Sequence, residues 1–166
     1  MNALERFNRL PLDEAIALLS SCVAIPSWAP ALAQTRPYAD RAALLARAQA
    51  LMQRWGEAEL QQAMSAHPRI GERPAGNQTH AALSRQEQSS VDRDDAQLAE
   101  ALRTANAQYE ARFGRVFLIR AKGRSGAEIL QALRQRLHND EAQERQASLA
   151  QLREITLLRL EGAIGA

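Results

Sequence analysis

Apolar residues recur at three- and four-residue intervals along most of this chain, and this spacing is typical of amphipathic helices. Glycine, which weakens helices, occurs eight times in 166 residues. The short apolar run VFLI at 116–119 could be extended, but the sequence offers it no partner strand. The first clear helical face, within residues 12–23, consists of Leu12, Ala15, Ile16, Leu19 and Val23. We therefore predict an all-α, single-domain bundle of about seven or eight helices over residues 1–166.

Capping and helix-breaking residues set the predicted boundaries in the first half of the chain. The segment IPSWAPALAQTRP, residues 25–37, is bounded by prolines and predicts a short turn or a broken helix. Asp40 is suited to cap the next helix, and Gly56 is predicted to end it. A short helix then leads into His67. The apolar face of the Asp40-capped helix is predicted to be Ala42, Leu45, Ala48, Leu51, Met52 and Trp55.

Similar signals divide the second half of the chain. Ser84 is predicted to start a helix, with a break near residues 89–95, and Gly114 is predicted to end it. Ser125 opens another helix, and a last one is predicted from about residue 140 to residue 161. The apolar face of the helix that starts at Ser84 is predicted to be Val91, Leu98, Leu102, Ala105, Tyr109 and Phe113.

Composition excludes several classes of protein. The single cysteine, Cys22, cannot form an internal disulfide, and its place on an apolar face favours a buried core thiol. No apolar run is long enough to cross a membrane, and the first residues lack the apolar region of a signal peptide. We therefore expect a cytoplasmic protein that binds no membrane.

Charge and aromatic content argue against nucleic-acid binding. The pI is about 9.2 although the net charge is only +2. Lys122 is the only lysine, so few groups titrate between neutral pH and the arginine range. The high pI is therefore weak evidence for a nucleic-acid partner, and an aromatic content of 4% argues against base-stacking surfaces. The three histidines, His67, His80 and His138, form no metal-binding motif with each other or with cysteine, so no metal site is predicted.

The stretch AHPRIGERPAG, residues 66–76, begins the longest region without helical periodicity, residues 67–83, and places a histidine between a predicted helix and a proline. Pro68 restricts the backbone of His67 to extended conformations, and Gly71 permits an unusual turn. One interpretation is structural, since a histidine at a helix end often interacts with the helix dipole or the core. The other is that His67 is a general acid or base facing a neighbouring helix start.

The stretch SRQEQ, residues 84–88, also has two interpretations. Ser84 and Glu87 match the S-x-x-E capping box, as do Ser125 and Glu128. Capping is the favoured interpretation of this pattern taken alone. A helix start also presents N–H groups that suit an anionic ligand, and Ser84, Glu87 and Gln88 would lie beside it.

A third stretch, LIRAKGRS at residues 118–125, alternates cations with a turn-forming glycine. For Arg120, Lys122 and Arg124 a solvated basic turn is the favoured interpretation. The alternative uses the main chain, because a short extended segment leaves N–H and C=O groups that can bind an amide-rich ligand.

HPRIG, with SRQEQ beginning seventeen residues after its histidine, resembles the 2-oxo-4-hydroxy-4-carboxy-5-ureidoimidazoline (OHCU) decarboxylases. Matching pieces flank these motifs in order, from FNRLPLDEA near the start to RLHNDEAQERQASLAQLREITLLRL at the end. The resemblance implies an all-helical, homodimeric, cofactor-free decarboxylase of oxidative urate degradation. Its substrate would be the ureidoimidazoline carboxylate and its product (S)-allantoin.

The resemblance also implies a set of site residues. His67 would be catalytic. Substrate contacts would come from Pro68, from Ser84, Arg85, Gln86, Glu87 and Gln88, and from Ile119, Arg120, Ala121, Lys122 and Gly123.

The reaction chemistry adds two roles. Glu87, with a pKa raised by partial desolvation, would position His67 or the ureido group and assist proton exchange. An arginine should meet the substrate carboxylate, and Arg159 is our candidate. The alternative for Arg159 is an ordinary surface position on the last helix.

Two other classes of function compete with this assignment. A non-catalytic helical interaction module would use residues 66–76 and 84–88 as ordinary joints. A metal-assisted amidohydrolase acting on a related ureido compound would contain metal and respond to chelators.

Overall fold

The computed structural model describes residues 2–65 and 95–164. Within these ranges the chain forms eight helices and no strand, which confirms the predicted all-α fold. Among the same residues, no helix is both long and apolar enough to span a membrane. The helices are α1 (Ala3–Arg9), α2 (Leu12–Ser20), α3 (Trp28–Gln34), α4 (Arg41–Met52), α5 (Glu57–Met64), α6 (Ala96–Phe113), α7 (Gly126–Arg136) and α8 (Glu141–Ala163).

The chain divides into two compact units. The first combines residues 1–65 with residues 153–166, and the second comprises residues 66–152. Helix α8 contributes to both units, since the division falls between Leu152 and Arg153. The single-domain organisation over 1–166 stays a prediction.

The core of the first unit forms around α2, α3 and α4. Trp28 and Trp55 pack edge to face with ring centroids 6.2 Å apart, and the indole N–H of Trp28 donates to the carbonyl of Ala48 at 3.4 Å. Asp40 caps α4 as predicted, because its Oδ1 accepts the N–H of Ala43 at 2.8 Å. The core side chains of this unit include Phe7, Leu19, Ile25, Leu32, Leu44, Met52, Leu60 and Leu160.

Two predicted boundaries of the first unit were wrong. Residues 28–34 form a continuous helix, because Pro30 lies in the first turn, where a backbone N–H has no helical partner to lose. Helix α4 ends at Met52, and Gly56 is the N-cap of α5, where its own N–H donates to Oε1 of Glu59 at 2.8 Å.

Two predicted helical faces of the first unit were also partly wrong. Leu12 is 48% exposed because it is the first residue of α2 and lies at the edge of the packed face. In α4, Ala48, Leu51 and Met52 are buried as predicted, but Leu44 is buried in the first turn, where Ala42 is exposed and Leu45 is half-buried. Periodicity alone does not separate these positions, since alanine and leucine occur on both sides of the first turn of α4.

The second unit has its core between α6, α7 and the segment that joins them. Leu102, Ala105, Tyr109 and Phe113 are buried along α6, as the periodicity predicted. Gly114 ends α6 with φ +72°, and its N–H donates to the carbonyl of Glu110 at 2.8 Å. The same core cluster also contains Phe117, Ile119, Ala121, Ile129 and Leu133.

The helix starts of the second unit confirm one prediction and leave another open. Ser125 and Glu128 form the predicted capping box, with both reciprocal hydrogen bonds at 3.1 Å. Asp95 caps α6 by accepting the N–H of Leu98 at 3.1 Å. The predicted start at Ser84 and the apolar position Val91 lie outside the described residues.

Candidate functional site

Residues 116–121, which we call the extended segment, cross the core of the second unit without regular secondary structure. The segment begins after Gly114 has ended α6, and it leads into a turn before Ser125 caps α7. The side chains of Phe117, Leu118, Ile119 and Ala121 are all buried. Because hydrophobic burial fixes these side chains, the main chain of the segment is fixed as well.

A tight turn follows the extended segment. The carbonyl of Ala121 accepts the N–H of Arg124 at 3.1 Å, and Gly123 has φ +81°, as the third residue of a type II turn requires. Lys122 is exposed, whereas Arg120 and Arg124 are half-buried. The interpretation as a solvated basic turn therefore describes Lys122 and not the two arginines.

In the extended segment, main-chain groups of every second residue form hydrogen bonds with side chains of the helices. The carbonyl of Leu118 accepts from Nη1 of Arg136 at 2.6 Å, and the N–H of Arg120 donates to Oε1 of Gln151 at 2.8 Å. Alternate residues of an extended chain present their N–H and C=O groups to opposite sides. Within the described residues, the N–H and C=O of Ile119 have no hydrogen-bond partner. The predicted unpaired main chain is therefore found at Ile119, and the prediction was wrong for Leu118 and Arg120.

A buried carboxylate lies beside the segment and was missed by the sequence analysis. Glu144 is 0% exposed. Nε of Arg136 donates to its Oε1 and Oε2 at 2.9 and 3.2 Å, and Nη2 of Arg136 also binds Oε1. Nδ2 of Asn139 donates to Oε2 at 3.0 Å, and the hydroxyl of Tyr109 donates to Oε1. We call Tyr109, Arg136, Asn139, Glu144 and Ser148 the Glu144 cluster; Ser148 lies 3.2 Å from Nη2 of Arg136.

The Glu144 cluster holds its charges in a defined geometry. Burial and, to a smaller extent, the hydrogen bond to the Glu144 carboxylate together raise the pKa of Tyr109 to about 12. The guanidinium of Arg136 also lies over the ring of Phe117, 4.5 Å from its centroid. The sequence signal available was weak: an arginine in the last turn of one helix and a glutamate in the first turn of the next, both suited to the helix dipoles.

Arg159 is buried in the first unit. It is 5% exposed, and its Nη1 donates to the carbonyl of Cys22 at 3.2 Å. The alternative of a surface arginine was therefore wrong. Cys22 is 1% exposed, which confirms the prediction of a buried thiol. A buried guanidinium needs acceptors, so an arginine at this position is costly unless it is well paired.

The other predicted site residues lie outside the described residues. These are His67, Pro68, Ser84, Arg85, Gln86, Glu87 and Gln88. Of the rest, Ile119, Arg120, Ala121, Lys122 and Gly123 belong to the second unit and Arg159 belongs to the first. In the described ranges 2–65 and 95–164, no three His, Cys, Asp or Glu side chains are grouped closely enough to hold a metal ion.

The fold is that of solved proteins of one class. A crystal structure of OHCU decarboxylase in the presence of (S)-allantoin matches with a TM-score of 0.74 at 23% identity, covering 89% of this chain and 97% of the other. A crystal structure of (S)-allantoin synthase matches with a TM-score of 0.70 at 18% identity, covering 97% of this chain and 54% of the other. These likenesses establish the all-α architecture.

Sequence comparison gives the class and then the family. A curated 2-oxo-4-hydroxy-4-carboxy-5-ureidoimidazoline decarboxylase of Amia calva is 31% identical over 164 residues, which is 97% of this chain and 94% of the relative. An Arabidopsis thaliana relative, the uric acid degradation bifunctional protein TTL, is 36% identical over 102 residues, 60% of this chain and 32% of the relative. The protein is accordingly a decarboxylase with an all-α fold. The OHCU decarboxylase family model matches residues 8–161, and the chain belongs to that family.

Proposed function

We propose that this protein decarboxylates 2-oxo-4-hydroxy-4-carboxy-5-ureidoimidazoline to (S)-allantoin without a cofactor, with His67 as its acid or base. The observation that carries the proposal is the extent of the family match. Residues 8–161 contain every predicted site residue, from His67 to Arg159. The resemblance seen in HPRIG and SRQEQ is therefore part of a continuous similarity and does not rest on two short motifs.

The substrate itself supplies the electron sink for this reaction. Its reacting carbon bears a carboxylate and a hydroxyl and adjoins a C=N bond. When carbon dioxide leaves, the C–C electron pair moves toward the C=N nitrogen, and a proton must then be delivered to one face of the carbon. The protein has to orient the carboxylate, stabilise the developing charge and control that proton.

Four polar side chains within the two motifs are suited to these tasks. His67, whose backbone the following proline is expected to restrict to extended conformations, would handle the substrate hydroxyl or donate the proton. Glu87 would position His67 or the ureido group. Ser84 and Gln88, one helical turn apart in the predicted helix, would hold ring amides.

Arg159 is our candidate for the substrate carboxylate. A guanidinium has five N–H donors in a planar fork, a geometry that matches a carboxylate through two parallel hydrogen bonds. In a buried setting the attraction between a guanidinium and a carboxylate is much stronger than in water. Arg159 would therefore both bind the substrate and orient the carboxylate that leaves.

The main-chain N–H and C=O of Ile119 are suited to bind an amide group of the substrate. They present one donor and one acceptor in a buried stretch, and an amide or ureido group presents the complementary acceptor and donor. Specificity from such a pair is high, because an analogue without the amide leaves both buried groups unpaired.

A coupled assay tests the function. Urate is converted in situ to the labile ureidoimidazoline, the purified protein is added after treatment with a chelator, and the (S)-allantoin signal is followed by circular dichroism. We expect the signal to grow much faster than spontaneous decay allows. Growth no faster than decay would reject the proposal. Activity that returns only with added metal would favour the metal-assisted amidohydrolase. If urate metabolites do not bind to the protein at all, the non-catalytic interaction module would be favoured.

We also propose that the protein is a cytoplasmic homodimer. A single, buried cysteine is compatible with a reducing compartment, and the family resemblance implies the dimer. Light scattering coupled to size-exclusion chromatography should give twice the mass of the 18.3 kDa chain. A monomer mass across micromolar concentrations would contradict the assembly.

A further inference from the structure

We propose that Gln151 and Arg136 are positioning residues that hold one side of the extended segment, so that the opposite side, at Ile119, faces the substrate in a fixed orientation. The inference deepens the proposed function and rests on it for the identity of the ligand. Neither residue is assigned contact with the substrate.

The geometry that carries the proposal is a pair of hydrogen bonds two residues apart. Arg136 donates to the carbonyl of Leu118 at 2.6 Å, and Gln151 accepts the N–H of Arg120 at 2.8 Å. Both groups belong to the same side of an extended chain, as they would if a neighbouring strand were bound there. Two side chains from α7 and α8 thus take the place of a partner strand, which the described residues 2–65 and 95–164 do not contain.

Arg136 can fulfil this role because it is itself fixed. Its side chain is 12% exposed, and three contacts constrain it: the Glu144 carboxylate, the Ser148 hydroxyl and the ring of Phe117. A long, flexible side chain normally loses considerable rotamer entropy when it makes one hydrogen bond. Here the Glu144 cluster already orders the guanidinium, so the hydrogen bond to the Leu118 carbonyl requires little further loss of rotamer entropy.

The consequence concerns the orientation of Ile119. Rotation of the segment about its axis would turn the N–H and C=O of Ile119 away from a bound amide. Two bonds, one on either side of residue 119, resist that rotation. A displacement of about an ångström in a group that orients the substrate is enough to weaken its productive binding.

The test compares Gln151→Ala with two matched variants. Gln146→Ala removes an exposed glutamine from the same helix, and Gln151→Glu keeps an acceptor oxygen for the Arg120 N–H. Hydrogen exchange of the Arg120 amide and the Michaelis parameters of the coupled assay are measured for each variant. We expect Gln151→Ala to expose the Arg120 amide and to raise KM roughly tenfold, with kcat changed less than about threefold. Gln151→Glu should recover the protection and most of the KM, and Gln146→Ala should behave as wild type.

Several outcomes would overturn the proposal. Loss of Arg120 protection together with a wild-type KM would mean that the hydrogen bond is structural only. Unchanged protection in Gln151→Ala would mean that Gln151 does not hold the segment. A wild-type protein that fails to accelerate allantoin formation would instead count against the proposed function, while the exchange measurement would still report on how the segment is held.

A second variant tests the other bond independently. Arg136→Lys keeps a positive charge near Glu144 but cannot bind the carboxylate and the Leu118 carbonyl with one planar fork. Arg134→Lys, at an exposed position of the same helix, is its control. A folded Arg136→Lys protein should show a raised KM and an unchanged pH profile, and a wild-type KM would contradict the role of Arg136.

Discussion

The guanidinium of Arg136 binds both carboxylate oxygens of Glu144, with Nε 2.9 Å from one oxygen and 3.2 Å from the other. The two residues belong to consecutive helices, and the carboxylate is completely inaccessible to solvent. A charge in such a setting is tolerated only because several donors replace its water. The pair therefore joins α7, α8 and the extended segment into one packed arrangement.

Removal of the buried carboxylate should cost much of the stability of the fold. In Glu144→Ala the Arg136 charge loses its main partner, and we expect the free energy of unfolding in urea to fall by about 3–5 kcal/mol. The control is Glu141→Ala, since Glu141 is 48% exposed and pairs with Arg115 at 2.8 Å. That variant should lose less than about 1 kcal/mol. Equal losses in the two variants would contradict the importance of burial.

Alkaline pH should selectively remove the contribution of Tyr109. Its pKa is raised from 10.0 to about 12 in the folded protein, so the folded state favours the neutral phenol. The stability gained in this way is complete below pH 10 and is lost as the pH rises through about 12. We expect Tyr109→Phe to be less stable than wild type by about 1 kcal/mol at pH 9, with a smaller difference at pH 11.5. Urea midpoints that keep a constant difference across this range would refute the assignment.

Replacement of His67 should abolish catalysis without unfolding the protein. We expect His67→Ala to keep the wild-type unfolding temperature and to lose roughly 10²–10⁴-fold in kcat, the usual contribution of a general acid or base. The control is His138→Ala, because His138 is exposed in the turn that follows α7 and has no proposed role. Near-normal turnover by His67→Ala in the coupled assay would exclude the catalytic assignment.

A glutamine at position 87 should separate capping from catalysis. The amide of Glu87→Gln can still accept a backbone N–H, so stability should change by less than about 0.5 kcal/mol. Turnover should fall at least about tenfold if the carboxylate takes part in proton exchange. Glu128→Gln makes the same change in the capping box that Ser125 forms, and it should leave turnover unaffected. If Glu87→Gln is instead less stable and keeps its specific rate, the role of Glu87 is capping.

Lysine at position 159 should weaken substrate binding more than it weakens the fold. Arg159→Lys keeps the charge but loses the planar fork that binds a carboxylate through two parallel hydrogen bonds. We expect kcat/KM to fall by about 10–100-fold, mainly through KM. Arg153→Lys is the control, since Arg153 is on the same helix and donates to the carbonyl of Met52 at 3.2 Å. Similar kinetic losses in both variants would remove the reason to assign Arg159 to the substrate.

Local signals in the sequence determined most of the helices. Periodicity predicted the buried residues of α6. Asp40 and Ser125 marked helix starts because their side chains accept backbone N–H groups of the first turn, and Gly114 marked a helix end because it adopts a left-handed conformation. Errors occurred where two local rules competed. The prolines of residues 25–37 predict a turn or a broken helix, although Pro30 lies in the first turn of α3, and Gly56 predicts a helix end, although it caps the next helix.

Only the tertiary structure decided which polar groups are buried together. Nothing in the sequence around Arg136 and Glu144 separates them from the many exposed arginines and glutamates, because burial depends on which helices pack against each other. The same holds for Arg159, whose guanidinium reaches a carbonyl 137 residues away along the chain. The motifs that carry the family resemblance are short and local, so the sequence alone could point to His67, Ser84 and Glu87. Contacts from α7 and α8 decide which side of residues 116–121 remains available to a ligand. Periodicity does not encode these contacts.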